Sequence, residues 1–436
     1  MAVALAPSHL LCMLPLTWAI RARGHEVVVA GRPEVAEAAR RAGLTAFAVP
    51  ELPDERLPEA ASAAVPSGAA PRPVPAFAGL RARLTEEQRR ESAAREARPG
   101  PHPWERRVRR VLDGYLAAGR RWRPDLLLCD PLEFTGLVAA GVLGVPVVVH
   151  RWGGPDALSS EALRRARVVL GPLCAEYGLD DGPRPPDLVI DPCPPSLRFA
   201  EADPALPMRF VPCGGSGRPL PDWARRPAPG GRVYVSFGVF GSRAGTAGAD
   251  FIAPGRLPDT FRALAAALPP GGGREVVFSV PPALSEAAAD LPRWVRRVDW
   301  IPLDAVLRPE DVVVHHGGVG SAMTACARGA VQLVLPPGHP VLLECAAGLT
   351  ARGVARSVEA ASIEPPGGDG VPGESGAPGA PGESGAPGTP GVPGALAEAV
   401  REVLEHRALR ADAAELAAEI AALPAPAAVV STLERL

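Results

Sequence analysis

Between Val312 and Pro340 the chain reads VVVHHGGVGSAMTACARGAVQLVLPPGHP. An apolar run ends in His315 and His316, crosses Gly317 and Gly318, and enters a small-residue segment through Gly320 and Ser321. A strand that ends in a glycine-rich turn and leads into a helix presents unpaired backbone N–H groups and the positive end of a helix dipole, which together suit a phosphate group. The glycines let the backbone approach such a ligand, Ser321 adds a hydroxyl, and one of the two histidines can add a ring N–H. The same residues also suit an ordinary tight turn between strand and helix, and a lone glycine-rich turn does not decide between the two. No carboxylate or His/Cys cluster in the sequence has the spacing of a metal site, so neither a metal nor a cofactor is expected.

The elements that would carry this turn alternate along the chain. MAVALA reads as a buried strand, APSH as a loop, LLCMLPLTWAIRARG as a helix ending near Gly24, and HEVVVAG as the next strand. That is a strand, helix, strand unit with the spacing of a parallel sheet. WERRVRRVLDGYLAAGRRW is a further helix, and PDLLLCD and GVPVVV are two more strands around a small-residue helix. A second series begins with GRVYVSFG and continues through REVVFSV, WVRRVDW, DVVVHHGG and VQLVLP, with helices at PDTFRALAAAL and SAMTACARG. The turn-rich stretch between the two series suits a linker. The expected division is therefore a domain over 1–205, a linker over 206–231 and a second domain over 232–436. Two doubly wound α/β domains in tandem would bind a ligand in the cleft between them, at the carboxyl ends of the strands.

Composition narrows the function. With 436 residues the chain is too long for one ordinary core. It is 47% hydrophobic and 22% charged with a net charge of -2, which gives no general attraction to nucleic acid or acidic membranes and favours a small-molecule partner. Every basic side chain other than histidine is Arg, and Lys and Asn are absent, as a GC-rich coding sequence would produce. The seven cysteines are scattered without a CxxC pair, which reads as reduced thiols in a cytoplasm. The first twenty residues lack Asp, Glu, Lys and Arg, yet they have no basic lead, are interrupted by Pro7 and Pro15, and run straight into a helix end and a strand. A cleaved leader or membrane anchor is thus disfavoured, and no later stretch is expected to span a membrane. The shortness of the first strand points to a natural start upstream.

Two segments stand apart. Glu51 to Pro103 is rich in Pro, Ala, Arg and Glu and reads as a long loop with one or two amphipathic helices. From Gly367 to Gly394 glycine recurs at every third position, as in a collagen triple helix. The repeat is short and lies between a folded domain and the helical tail ALAEAVREVLEHRALRADAAELAAEIAAL. A polyproline-like surface loop enlarged by repeat expansion is the preferred reading, since loop closure entropy grows only slowly with length.

The words around the histidine-glycine turn, WIPLDAVLRPEDVVVHHGGVGSAMTACARGAVQLVLP, resemble the donor region of GT-B glycosyltransferases, specifically the family 1 enzymes of actinomycete antibiotic pathways. SHLLCMLPLTWAIRARGHEV, RPDLLLCDPLEFTGLVAAGVLGVPVVVHRWG, DPCPPSLR, MRFVPCGG and LAAEIAALPAPAAVVSTLERL fit the same group. The resemblance covers nearly the whole chain except 51–103 and the glycine repeat. It implies the GT-B fold and an inverting transfer of a deoxysugar from a thymidine diphosphate donor to a hydrophobic, polyketide-like acceptor. It implies that His9 takes the proton from the acceptor hydroxyl and that Asp130 orients and charges it, a sound arrangement for a general base near neutral pH. Trp300 would lie against the nucleobase, and His316, Gly318, Gly320 and Ser321 would hold the diphosphate and stabilise its developing charge. His315 would be the inward-facing end of the strand, and 51–103 would form much of the acceptor pocket. A homodimer or an activator protein is a further candidate partner.

Three departures from the family pattern bear on the sugar. After QLVLP the family usually has an Asp-Gln pair for sugar hydroxyls, where PPGHPVLLECAAG offers only His339 and Glu344. Val239 stands where a Ser or Thr often faces the donor, with Ser242 and Arg243 close by. The first strand is short. A deoxysugar has fewer hydroxyls, so a less polar clamp is compatible with turnover. The competing reading is a non-catalytic auxiliary protein that keeps the fold and the nucleotide cradle. A sugar-nucleotide epimerase is the third, and the acceptor-facing His9 argues against it.

Overall fold

The structure, a computed structural model, describes residues 1–52, 102–155, 158–199, 202–214, 219–226, 228–238, 257–268, 273–280, 282–286, 288–337, 340–359, 363 and 392–436. Most of the 51–103 segment, most of the glycine repeat, and Val239, Ser242, Arg243 and His339 lie outside the described residues.

Runs such as Leu127–Cys129 and Val147–His150 are apolar without alternation, as strands covered on both faces must be. Both belong to a parallel sheet built from β1 (Ala2–Val3), β2 (Val28–Gly31), β3 (Thr45–Ala48), β4 (Leu127–Cys129), β5 (Val147–His150), β6 (Leu188–Asp191) and β7 (Leu206–Pro207). Its spatial order is β3-β2-β1-β4-β5-β6-β7. The second sheet comprises β8 (Arg232–Val235), β9 (Glu275–Ser279), β10 (Val295–Val298), β11 (Val312–His315), β12 (Val331–Val334) and β13 (Ala355–Ser357), in the order β10-β9-β8-β11-β12-β13. The expected pair of tandem doubly wound domains is present.

Helices cover both faces. In the first domain these include α1 (Pro7–Ala22), α2 (Pro33–Arg41), α3 (Pro103–Trp122), α4 (Phe134–Leu143), α5 (Leu158–Val169) and α6 (Gly171–Glu176). The second has α7 (Leu257–Ala267), α8 (Val319–Arg328), α9 (Pro340–Ala351), α10 (Val392–Glu405) and α11 (Arg407–Ala422), and the chain ends in α12 (Pro426–Leu433). The last three residues of the glycine repeat, 392–394, are the first turn of α10.

The period-two alternation of side chains sorts the first sheet into two cores. Val3, Cys129, Val147 and Val149 pack with α3 and α4, whereas Ala2, Leu128, Val148 and Ile190 pack with α1. Asp130 and His150 follow Leu128 and Val148 by two residues, so the pleat sends them toward α1.

Two boundaries differ from the sequence reading. The first sheet takes an additional strand at Leu206–Pro207, beyond residue 205. The chain's last helix then returns to the first domain: Val429, Val430 and Leu433 are buried with Leu10, Met13 and Leu14 of α1, each contributing about 1.5–3 kcal/mol. Glu434 accepts from Arg23 at 2.8 Å and contacts His25 at 2.9 Å. Residues 407–433 are also apolar and long enough by composition to cross a membrane, contrary to expectation. Here they form two helices interrupted at Leu423–Ala425, with Leu409, Leu416, Ile420 and the α12 residues set into the two cores.

Candidate active site

The carboxyl ends of β1, β4 and β5 lie side by side, and each delivers one side chain to the same place. After β1 the chain turns at Ala6, and Pro7 opens α1 at a position where its missing N–H is no loss. His9 is therefore in the first turn of α1, not in a loop before it, because the helix starts earlier than its apolar periodicity suggests. Asp130 follows β4 and is 1% exposed. The Nδ1 of His9 lies 3.2 Å from Oδ1 of Asp130. The approach is oblique, without the alignment of a hydrogen bond. Oδ2 of Asp130 accepts from the Leu5 N–H at 2.6 Å and Oδ1 from the Leu132 N–H at 2.9 Å. Burial pushes this carboxyl up, but the His9 charge and the two amides outweigh it and hold Asp130 below the usual carboxylate range.

Three residues on, Glu133 is pushed the opposite way. Burial raises its carboxyl, the Arg107 guanidinium only partly offsets this, and its Oε1 accepts from the Thr135 N–H at 3.2 Å as the cap of α4. Two neighbouring carboxyls with opposite shifts mark Asp130 as the charged partner of His9. Cys12, one turn along α1, has its thiol pushed up to about 12 by burial and by Cys213 and Asp130, so it offers no competing nucleophile. His9 Nδ1 is buried while the side chain as a whole is 20% exposed, which leaves the rest of the ring open to the cleft.

The third side chain is Trp152, which the sequence reading did not single out. Its ring centroid is 4.7 Å from that of His9, with the planes tilted at 52°. A tryptophan just after a strand looks like core in a sequence, and only the adjacency of β1, β4 and β5 brings it to His9.

In the second domain the expected turn lies between β11 and α8. His315 is fully buried and its ring is used structurally: Nδ1 accepts from the Gly317 N–H at 3.0 Å, which leaves Nε2–H to donate to Gln332 Oε1 at 2.9 Å. Burial lowers it to about 4. Gly317 has φ +92, a conformation that a side chain would strain, and a Cβ there would meet Leu342 O at 3.0 Å. Gly318 is the N-cap of α8 and has no side chain to cap with. Its Cα faces the His316 ring, since a Cβ would fall 2.5 Å from Nε2. His316 is 2% exposed and lowered to about 3 by burial and then by His315, so the ring is neutral. Among the described residues a Cβ on Gly320 would meet nothing within 4 Å. Internal packing therefore does not require glycine at 320, whereas close approach by a ligand would. The first helical amide bond of α8 runs from Ala322 to Gly318 O, so the N–H groups of Val319, Gly320 and Ser321 have no helical acceptor and face the open end.

Trp300 lies just beyond β10 on the same carboxyl rim, half-buried. Glu344 is buried on α9. Ser242, Arg243 and His339 lie outside the described residues. Among the described residues no three His, Cys, Asp or Glu side chains come together as a metal site. The two rims touch at Gly154, where a Cβ would meet Val319 Cγ2 at 2.9 Å. The His9 side and the α8 side therefore face one cleft.

Comparisons with known proteins bear on what this cleft does. The family described as erythromycin biosynthesis protein CIII-like matches with its N-terminal domain over residues 18–238 and its C-terminal domain over 272–364. The TDP-daunosamine transferase of Streptomyces peucetius is 31% identical over 98% of this chain and 94% of its own length. The aclacinomycin-T 2-deoxy-L-fucose transferase of Streptomyces galilaeus is 31% identical over 76% of this chain and 77% of its own. Among solved structures, a spinosyn rhamnosyltransferase aligns over 100% of both chains with a TM-score of 0.73 and 30% identity. A complex of that enzyme with thymidine diphosphate aligns over 99% of both chains with a TM-score of 0.72.

Proposed function

The chain belongs to the erythromycin biosynthesis protein CIII-like family of antibiotic glycosyltransferases, and from that membership we propose that it transfers a deoxysugar from a thymidine diphosphate donor to a polyketide-like acceptor, with His9 as general base. The observation that carries the assignment of the base is the contact of His9 Nδ1 with the buried carboxylate of Asp130, across the cleft from the open end of α8.

The chemistry follows from that placement. Asp130 holds Nδ1, which leaves Nε2 to take the proton as the acceptor oxygen attacks the anomeric carbon. The new carbon–oxygen bond forms on the face opposite the departing diphosphate, so the transfer inverts the anomeric centre. Charge develops on the diphosphate, where the free N–H groups of Val319, Gly320 and Ser321, the Ser321 hydroxyl and the neutral His316 ring stabilise it. Trp300 would lie against the base. Asp130 stays anionic throughout and stabilises the imidazolium that forms on His9. The cysteines among the described residues are free thiols, which fits a reducing cytoplasm.

The test has two arms. Calorimetric titration with thymidine diphosphate and with uridine diphosphate reports the donor site without an acceptor, and saturable binding with preference for the thymidine nucleotide is expected. Release of thymidine diphosphate from TDP-deoxysugars in the presence of polyketide and anthracycline aglycones reports transfer. It should be lost in His9→Gln while nucleotide binding persists. A wild-type protein that binds the nucleotide, transfers no sugar and raises the turnover of a partner transferase would establish the auxiliary reading instead.

A further inference from the structure

Trp152 occupies a loop that is held more firmly than packing alone requires. The preceding residue, Arg151, is 2% exposed, and burying a guanidinium is costly unless its hydrogen bonds are met. Its terminal nitrogens reach Asp191 at 3.1 Å, the Asp203 carbonyl at 3.0 Å and the Ser160 hydroxyl at 2.6 Å. Ser160 also accepts from the Asp203 N–H at 3.1 Å, and Asp191 from the Cys193 N–H at 2.9 Å. The residue after Trp152, Gly153, has φ +96, and a Cβ there would meet Pro192 at 3.0 Å and Phe210 at 3.1 Å. The Trp152 backbone is thus pinned on both sides to the segment that follows β6. Among the described residues the ring it presses on is that of His9, whose own contact with Asp130 is oblique and does not by itself fix the ring's rotation.

We propose that Trp152 is a positioning residue for His9: the indole, held by the Arg151 clamp, braces the imidazole so that Nδ1 stays turned to Asp130 and Nε2 to the cleft. The inference rests on the reading of His9 as the base, but its geometry is measurable without turnover. Among the described residues Trp152 Nε1–H has no hydrogen-bond partner, so Trp152→Phe keeps an aromatic face and removes no hydrogen bond seen there. Trp152→Leu removes the brace.

The experiment uses the full chain labelled with 15N,13C-histidine, with His9 signals assigned by their loss in His9→Gln. In the wild type, nuclear Overhauser contacts join His9 ring protons to the Trp152 indole, and the Nδ1–H tautomer of His9 predominates. Trp152→Phe retains that tautomer, whereas Trp152→Leu shifts His9 to a mixture and moves its ring protons toward solvent-exposed values. Thymidine diphosphate affinity is the same in all three proteins, which separates loss of the brace from damage to the cleft. Absence of the Overhauser contact in the wild type would overturn the proposal whatever the variants do. So would a Trp152→Leu protein with an unchanged His9 tautomer, or a Trp152→Phe protein altered as much as Trp152→Leu. Failure of every donor and acceptor to react would instead remove the role of His9 as base and leave the bracing geometry decided by the spectra.

Discussion

Acid should unfold this protein in a window set by three histidines that the fold keeps neutral. His150 ends β5, and His315 and His316 stand at the end of β11; burial is the main cause that lowers them to about 4, about 4 and about 3, against about 6.5 in an unfolded chain. Between those limits the unfolded chain binds a proton at each site and the folded chain does not, so stability is full above about pH 7 and falls as the pH drops below about 6.5. Well below that value each site costs about 1.4 kcal/mol per pH unit, or about 2 kcal/mol at pH 5 and about 6 kcal/mol for the three together. The second domain's share, about 4 kcal/mol, is a large part of the roughly 5–15 kcal/mol of a typical domain. Two of the rings belong to the second domain and one to the first, so the second should lose stability about twice as steeply. Urea titrations from pH 7.5 to 5, followed by tryptophan fluorescence and circular dichroism, measure both slopes. In His150→Gln the first-domain slope should fall by about 1.4 kcal/mol per pH unit. Stability that stays flat from pH 6.5 to 5, or a slope unaltered in His150→Gln, would show that the fold does not hold these rings neutral.

Three substitutions probe the cleft. Gly320→Ala should raise stability by about 0.5–1 kcal/mol, because an added Cβ meets nothing and alanine favours the helix, yet weaken thymidine diphosphate binding about tenfold or more, or about 1.4 kcal/mol; unchanged affinity would remove Gly320 from the cradle. Asp130→Asn should lower the transfer rate by about 100-fold or more and cost about 1–3 kcal/mol in urea, since one amide end must then face the Leu5 or Leu132 N–H; a rate within tenfold of wild type would mean that His9 does not need the carboxylate. Gly154→Val should hold the two rims apart, because even a Cβ at this position lies 2.9 Å from Val319. Nucleotide titration should then be unaffected while transfer is lost, and retained transfer would show that the reaction does not need this approach.

The alternating architecture was legible because parallel strands buried on both faces are written as unbroken apolar runs, such as Val147–Val149 and Val312–Val314. Among the described residues four strands escaped notice: Leu188–Asp191 has a short apolar run between Pro186 and Pro192, and Ala355–Ser357 is too brief to show one. Thr45–Ala48 leaves half its residues exposed, and β7 is two residues long and contains Pro207, as only an edge strand can. Helix starts were misplaced where the signal is backbone geometry: α1 opens at Pro7 and α8 at Val319, each two residues before His9 and Ser321. The glycine turn could be read as a phosphate site because its chemistry is contiguous in sequence. His9, Asp130 and Trp152 could not be joined from the residues alone, since their proximity depends on β1, β4 and β5 being neighbours. The docking of α12 on α1 was hidden for the same reason, with more than 400 residues separating Leu10 from Val430.

The neutral donors described at the end of α8 suit the reaction proposed for them. A fixed cation beside the diphosphate would bind donor and product strongly throughout the cycle, which lowers the ground state along with the transition state. The end of α8 offers dipoles, and the neighbouring His316 is held uncharged by burial. Such donors are already oriented, so charge moving onto the departing diphosphate is met without reorganisation. The charged carboxylate is kept on the opposite rim, where Asp130 orients His9 and then stabilises the imidazolium once His9 has accepted a proton. Each rim is therefore matched to the charge that appears beside it during transfer, positive on His9 and negative at α8.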